Sequence, residues 1–218
     1  MSRKLKIAVI LSGCGVQDGS EIHESVLTLL AISEAGHQAA CFAPDIAQAR
    51  VVNHVTGEET AERRNVLVEA ARIARGKIQP LSELDPGLFD AVILPGGFGA
   101  ALNLSTFASD GADCRLDPDL RRVLETFHCD KKPIAALCIS PAIIARLFPG
   151  TELTVGQDEE VGAVLRGLGA KVKPTGPGEI VVDKSRKIVT APCYMIESSL
   201  ARIFEGVRNV IAALGPLC

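Results

Sequence analysis

Short apolar segments alternate along this chain with segments of helical periodicity, and the apolar segments end at loops rich in glycine, proline or cysteine. The apolar segment Leu5–Leu11 leads into the helical segment Glu21–Ala35, and the apolar segment Gln38–Ala43 follows. Strands that alternate with helices form a mostly parallel sheet with helices on both faces. We therefore predict an α/β fold. No linker, repeat or low-complexity stretch interrupts the pattern, so we predict a single domain over residues 1–218.

The rest of the chain continues the alternation. We expect helices over residues 62–75, 119–128, 160–168 and 198–214, strands over 90–94 and 132–138, and a hairpin made of 180–183 and 187–190.

Composition excludes several classes of protein. A net charge of -3 argues against nucleic-acid or anionic-membrane partners, and no run of about 18 apolar residues could span a membrane. Two glycine loops follow predicted strands, the first at Ser12–Gly19 and the second at Pro95–Gly99. Neither is a dinucleotide-binding fingerprint, and there is no phosphate-binding P-loop, so we expect no cofactor. The seven cysteines lack paired metal-ligand spacing. We therefore expect no metal and a reducing, cytoplasmic environment.

Cys138 lies where a short apolar strand stops and an apolar helix starts within two residues. Such a turn resembles a nucleophile elbow, which presents its central side chain at the carboxyl edge of a parallel sheet. Helix amides and the helix dipole would lower the pKa of a thiol there. The alternative is a buried structural cysteine, because free cysteine is among the most buried residue types.

The turn Pro95–Gly99 also follows a predicted strand. The bare backbone of Gly96 and Gly97 could bring amide groups beside a developing oxyanion, together with the amide of Ile139. Ordinary turn chemistry is the alternative for each of these strand-end loops.

A thiolate nucleophile needs a partner, and all four histidines precede Cys138 in the chain. Cysteine amidotransferases place their histidine after the nucleophile, so the usual glutamine-hydrolysing triad is not expected. The remaining candidate is Glu24 on the first helix, where a carboxyl group in a partly apolar cleft would have a raised pKa and could carry a proton. The alternative is an ordinary first-turn acid, a role that fits Glu21 better.

The chain closely resembles the ElbB family, also called sigma cross-reacting or lycopene-enhancing proteins. The motifs that carry the resemblance are L-S-G-C-G-V-x-D-G-S-E-I-H-E (11–24), C-F-A-P-D (41–45), R-N-V-L (64–67), A-R-I-A-R-G-K-I (71–78), P-G-G-F-G-A-A (95–101) and N-L-S (103–105). This family belongs to the PfpI-like, class I glutamine-amidotransferase-like superfamily. The resemblance therefore implies a flavodoxin-like three-layer sandwich.

The resemblance also implies a function. It assigns the nucleophile to Cys138, the partner acid to Glu24, and the oxyanion contacts to the amides of Gly97 and Ile139. The implied activity is that of a glutathione-independent glyoxalase of type III, a lyase that converts glyoxal and water to glycolate. Stronger glyoxalases of the superfamily carry histidine where this chain has Ile139.

The resemblance further implies a small reactive dicarbonyl as substrate and a homodimeric assembly. Bacterial members are cytoplasmic and vertebrate relatives mitochondrial, and we expect a cytoplasmic protein here. Possible secondary site residues are Cys14, His54, Asn103 and Cys193.

Two alternatives to an enzyme remain. One is a redox sensor in which Cys14 or Cys193 resolves an oxidised Cys138, and the other is a regulatory module that binds a metabolite without turnover.

Overall fold

The computed structural model describes residues 3–218, so the first two residues of the predicted domain lie outside the described part. The strands are β1 (Lys6–Ile10), β2 (Gln38–Ala43), β3 (Val51–Val52), β4 (Glu59–Thr60), β5 (Ile78–Pro80), β6 (Ala91–Leu94), β7 (Ile134–Leu137), β8 (Glu152–Leu153), β9 (Lys171–Val172), β10 (Val181–Asp183) and β11 (Ile188–Ala191). The helices are α1 (Ile22–Glu34), α2 (Val66–Ile73), α3 (Phe98–Leu102), α4 (Phe107–Asp110), α5 (Pro118–Cys129), α6 (Pro141–Leu147), α7 (Glu159–Gly167) and α8 (Leu200–Leu214).

The central sheet has seven strands in the order β10-β11-β7-β6-β1-β2-β5. Neighbouring strands are parallel except β10 and β11, which form the predicted antiparallel hairpin with Val181 opposite Thr190. Two small sheets, β3-β4 and β8-β9, lie outside it. The predicted α/β sandwich with a mostly parallel sheet is confirmed.

Two hydrophobic clusters cover the two faces of the sheet, because successive side chains of a strand point to opposite faces. Ile7 and Val9 belong to the cluster formed with α1, α2 and α8. Ala8 and Ile10 belong to the cluster formed with α5, α6 and α7. The strands of the central sheet that are buried on both faces have continuous apolar sequences, as in other parallel sheets.

Some element boundaries differ from the sequence prediction. The helix expected over 62–75 is shorter, since it begins after Asn65, whose side chain accepts a hydrogen bond of 3.0 Å from the backbone N–H of Val68. The backbone of a capping residue is not helical, so the helix starts only after Asn65. The edge strand β5 and the helices α3 and α4 were not predicted, because segments of three to five residues are too short to show a period.

Four strand-end loops meet at one edge of the molecule. Strands β11, β7, β6 and β1 are consecutive and parallel in the sheet, so their carboxyl ends point the same way. In open parallel sheets, sites form at this edge. Of the candidate residues predicted from the sequence, Gly96 and Gly97 follow β6, Cys138 and Ile139 follow β7, and Cys193 follows β11.

Within residues 3–218, none of the helices combines the length and apolar character needed to cross a bilayer. The same residues contain no group of three or more His, Cys, Asp or Glu side chains placed to hold a metal ion.

Candidate active site

Cys138 occupies the turn between β7 and α6 in a left-handed backbone conformation, with φ of 58°. Its backbone N–H donates to the carbonyl of Ala191 at 3.0 Å, and the hydroxyl of Ser140 donates to the carbonyl of Pro95 at 2.8 Å. A non-glycine residue in this region costs about 1–3 kcal/mol and persists only when its surroundings enforce it. These bonds to the neighbouring strand ends hold the elbow predicted from the sequence.

The carboxyl group of Glu24 is fully buried beside this elbow. Its Oε2 accepts a hydrogen bond of 2.8 Å from the backbone N–H of Gly96, and its Oε1 accepts one of 3.2 Å from the backbone N–H of Tyr194. The same carboxyl group lies beside the thiol of Cys138: Oε2 of Glu24 and Sγ of Cys138 lie 2.6 Å and 2.9 Å from the point that a β-carbon of Gly96 would occupy. Two backbone amides from different strand ends therefore fix the carboxyl group against the thiol.

Glu21 has a different role. Its side chain caps α1 by accepting a hydrogen bond of 2.6 Å from the backbone N–H of Glu24. Its own backbone N–H donates to the carbonyl of Gly96 at 2.8 Å. Glu21 is thus the structural cap of α1, whereas Glu24, in the first turn of the helix, faces the thiol.

Gly96 leaves space for the contact between the thiol and the carboxyl group. A β-carbon at this position would lie 2.3 Å from Cβ of Cys138 and 2.6 Å from Oε2 of Glu24. Distances below 3.0 Å are not found for real β-carbons. Only glycine is compatible with this packing.

The amides predicted to bind an oxyanion lie around the sulfur. The backbone N–H groups of Gly97 and Ile139 lie close enough to the Cys138 thiol to lower its pKa. An oxygen on a carbon attached to that sulfur would lie next to the same donors, which is the arrangement of an oxyanion hole.

Burial controls the protonation of both reacting groups. It raises the pKa of Glu24 from 4.5 to about 7, and the negative charge of Glu21 adds to the effect. Burial also raises the pKa of the Cys138 thiol well above its ordinary value, and the charge of Glu24 raises it further. The amides of Gly97 and Ile139 lower the pKa of the thiol, but by less than burial and the charge of Glu24 raise it. The expectation of a lowered thiol pKa is therefore wrong for the resting site, because burial outweighs the helix amides.

Cys193 is the only one of the four secondary candidates that lies beside Cys138. It follows β11 with φ of 42° and is buried. Leu137 and Ala191 pair directly in the sheet, which places the two cysteines just beyond adjacent strand ends.

The other three secondary candidates lie elsewhere. Asn103 braces the first glycine loop, donating to the carbonyls of Ser12 and Asp18 at 2.9 Å each. His54 contacts the backbone N–H of Gln17 at 3.2 Å. Cys14 lines a groove between α1 and α2.

A cleft of about 590 Å³ opens over Cys138 and contains residues that the sequence analysis missed. Its lining includes Phe98, Phe107, Val161, Val164, Tyr194 and Met195. The hydroxyl of Tyr194 lies 2.9 Å from Nδ1 of His23. Tyr194 is the residue next to Cys193 in the strand-end loop after β11. This position in the chain was the signal in the sequence that could have placed Tyr194 at the cleft. Within residues 3–218, none of the four histidines lines the cleft.

This fold is that of the class I glutamine-amidotransferase-like superfamily of proteins. No protein-family model matches the sequence. The chain is 46% identical, over 95% of its length, to the ES1 protein homolog, mitochondrial, of Rattus norvegicus, and it covers 82% of that protein. It is 45% identical, over 94% of its length, to the human glutamine amidotransferase-like class 1 domain-containing protein 3, mitochondrial, of which it covers 81%.

A solved structure supports the same assignment. The crystal structure of an isoprenoid biosynthesis protein with amidotransferase-like domain from Ehrlichia chaffeensis has a TM-score of 0.92 and 35% identity, covering 98% of this chain and 99% of its own. The chain belongs to the ElbB-like ES1 family of that superfamily, and the resemblance seen in the sequence is confirmed.

The comparisons correct one expectation. The sequence analysis predicted a cytoplasmic protein, but the rat and human relatives are both mitochondrial proteins by name. A reducing environment inferred from free cysteines does not separate these two compartments, so the cysteine content could not decide between them.

Proposed function

We propose that this protein is a glutathione-independent glyoxalase of type III, a lyase that converts glyoxal and water to glycolate. The observation that carries the proposal is the position of the Cys138 thiol beside a buried Glu24 carboxyl group whose pKa burial raises to about 7. A proton carrier is most effective when its pKa lies near the working pH.

In the first step, Glu24 takes the proton of the Cys138 thiol as the sulfur attacks one aldehyde carbon of glyoxal. A carbon–sulfur bond forms and the carbonyl oxygen becomes an oxyanion. The amides of Gly97 and Ile139, which lie near the sulfur and lower its pKa in the resting site, would stabilise that charge. Removing one such donor from an enzyme typically costs about 10²–10³ in rate.

In the second step, a proton moves from the attacked carbon to the neighbouring carbon through an enediol. The attacked carbon is oxidised to a thioester and its neighbour is reduced to a hydroxymethyl group, so no external oxidant or reductant is needed. Glu24 first gives the thiol proton to the oxyanion, which forms the hemithioacetal hydroxyl, and is then free to accept the proton from the attacked carbon and return it to the neighbouring carbon. The proton of that hydroxyl passes to the oxygen of the neighbouring carbon. Water then cleaves the thioester, releasing glycolate and restoring the thiol.

The test is to incubate the protein with glyoxal in the absence of glutathione and to measure glycolate by chromatography. We expect turnover by the unmodified chain and none by Cys138→Ser. Equal turnover by Cys14→Ser, a cysteine in a different groove, is the matched control. Glycolate formation that survives Cys138→Ser would refute the proposal.

Cys193 favours a second candidate function, a redox sensor. Neighbouring parallel strands lie about 4.8 Å apart, so two cysteines just beyond paired strand ends lie within reach of a disulfide. A peroxide would oxidise the Cys138 thiolate to a sulfenic acid, and the Cys193 thiol would displace water from it to form the disulfide. Cys14 is disfavoured as the resolving thiol because it lines the separate α1–α2 groove.

Mass spectrometry after mild peroxide treatment tests this second function. A Cys138–Cys193 linked peptide that is absent from Cys193→Ser and present in Cys14→Ser would support it. Irreversible over-oxidation of Cys138 without a linked peptide would count against it.

A further inference from the structure

The cleft over Cys138 is much larger than glyoxal. Its volume is about 590 Å³, within the range of about 300–1,000 Å³ that sites for drug-sized ligands occupy. Glyoxal has only four non-hydrogen atoms and would fill a small part of this space. Small ligands gain affinity with each buried atom, so an unfilled cleft leaves binding energy unused.

The walls of the cleft are mostly apolar and come from separate elements. Phe98 from α3 and Phe107 from α4 face Val161 and Val164 from α7, and Met195 lies beside Tyr194. Phe98 is 51% exposed, although large exposed aromatic side chains are unfavourable in water. An apolar group placed between α3 and α7 would cover it.

The charges at the cleft are all of one sign. Asp158 and Glu160 line it, and no lysine or arginine is among the lining residues within 3–218. Asp158 caps α7 through a hydrogen bond of 2.9 Å from the backbone N–H of Val161, whereas Glu160 is exposed and free to act on a ligand. Arg50 reaches the Phe98 ring at 6.0 Å, but it also donates to the carbonyl of Gln17. An anionic substituent would therefore be repelled.

We propose that the preferred substrate is a 2-oxoaldehyde that carries an uncharged apolar group, about the size of a phenyl ring, on its ketone carbon. This inference rests on the proposed function, because it uses the same attack of Cys138 on an aldehyde carbon. The apolar group lies between Phe98 and α7, and the two oxygens stay at the amides of Gly97 and Ile139 and at Glu24. The product is the corresponding 2-hydroxy acid, formed by the same proton transfer and hydrolysis.

The experiment compares kcat/KM for glyoxal, methylglyoxal, phenylglyoxal and 4-carboxyphenylglyoxal. We expect phenylglyoxal to exceed glyoxal by roughly 10- to 200-fold, the range that a hydrophobic pocket gains from added apolar groups. The carboxylated analogue should fall below phenylglyoxal, and Glu160→Lys should recover it several-fold, less so in high salt. If glyoxal is turned over but phenylglyoxal is not preferred, the inference about substrate class fails while the proposed function stands.

Phe98→Ala tests the position of the apolar group. It should lower the ratio of kcat/KM for phenylglyoxal to that for glyoxal by about tenfold. Leu88→Ala, an exposed apolar residue outside the cleft, should leave the ratio unchanged. An unchanged ratio in Phe98→Ala would refute the assignment.

A readout independent of turnover uses unreactive ketones to protect Cys138 from alkylation by iodoacetamide. We expect 2-hydroxyacetophenone to protect Cys138 at concentrations at least tenfold below those needed for hydroxyacetone. If no dicarbonyl is turned over, the proposed function fails, and this comparison alone decides whether the cleft selects an apolar carbonyl compound. Equal protection by both ketones would overturn that selection.

Discussion

The carboxyl group of Glu24 and the thiol of Cys138 lie side by side next to Gly96, although the two residues come from α1 and from the end of β7. Both groups are buried, so each ionises with more difficulty than it would in water. Burial and the charge of Glu21 raise the pKa of Glu24 to about 7, and burial and the charge of Glu24 raise the pKa of the thiol well above its ordinary value. The resting site therefore holds a thiol beside a carboxyl group that can take its proton.

Gly96→Ala should disable the site. The added methyl group would overlap Cβ of Cys138 and Oε2 of Glu24, separating the thiol from the carboxyl group. We expect a loss of turnover of about 10² or more and a destabilisation of about 1–3 kcal/mol from overpacking. Kinetics with glyoxal and denaturant unfolding measure the two effects. Gly167→Ala is the matched control, because nothing lies within 4 Å of its added methyl group.

Turnover should rise with pH through about 7. Glu24 must be ionised to accept the thiol proton, and its pKa in the folded protein is about 7. The pH profile of kcat/KM reports the ionisation of the free enzyme, so the rising limb should have its midpoint there. A profile that is flat between pH 6 and 8, or that falls with rising pH, would contradict Glu24 as the base.

Stability should also depend on this ionisation. The pKa of Glu24 rises from 4.5 to about 7 on folding, so the folded chain holds a proton that the unfolded chain loses in this window. The stabilising effect of the protonated group is complete below pH 4.5 and is lost as the pH rises through about 7. The difference is about 3 kcal/mol. Glutamine does not titrate, so the free energy of unfolding of Glu24→Gln lacks this pH dependence. Relative to the unmodified chain, it should rise by about 3 kcal/mol between pH 4 and pH 8, as measured by denaturant unfolding.

Much of the fold was predictable because long elements carry strong periodic signals. The limits of β2 match the prediction residue for residue, and α1 and α8 differ by one or two residues at their ends. What the sequence could not show were pieces of two to five residues, such as α3 and α4, which form part of the cleft wall. The size and lining of the cleft depend on these pieces, so they emerged only from the structure.

The site was partly predictable for a similar reason. Cys138, Gly96, Gly97 and Ile139 follow neighbouring strands, so their meeting at one edge was expected from topology. The sign of the thiol pKa shift was not, because it depends on how completely the site is buried. The roles of Tyr194 and Asn103 depend on contacts over long separations in the chain, which no local pattern encodes.

We expect the protein to form a homodimer, as the resemblance to the family implies. Helix α1 exposes Ile22, Val26 and Leu30 on one stripe, each with more than 40% of its surface accessible. Contact with a second copy would remove this apolar stripe from water. Light scattering at micromolar concentration measures the mass, and a 23.0 kDa species would contradict the expectation. Val26→Asp should weaken the dimer, whereas Val55→Asp, at a site 94% exposed, should not.

Glu24→Gln and Glu21→Gln together test the proton carrier. Glutamine at position 24 still accepts hydrogen bonds from the amides of Gly96 and Tyr194 but cannot take a proton, so glyoxal turnover should fall by about 10² or more. Glutamine at position 21 keeps an oxygen that caps α1, so it should cost roughly 0.3–1 kcal/mol of stability and leave maximal turnover nearly intact.

The same pair of variants separates the two carboxyl groups by their pH profiles. The charge of Glu21 helps to raise the pKa of Glu24, so Glu21→Gln should move the rising limb of the profile to lower pH. A residue that served only as a helix cap, with no influence on the proton carrier, would leave that midpoint in place. If Glu21→Gln were the inactive variant and Glu24→Gln the active one, the assignment of the proton carrier would be wrong.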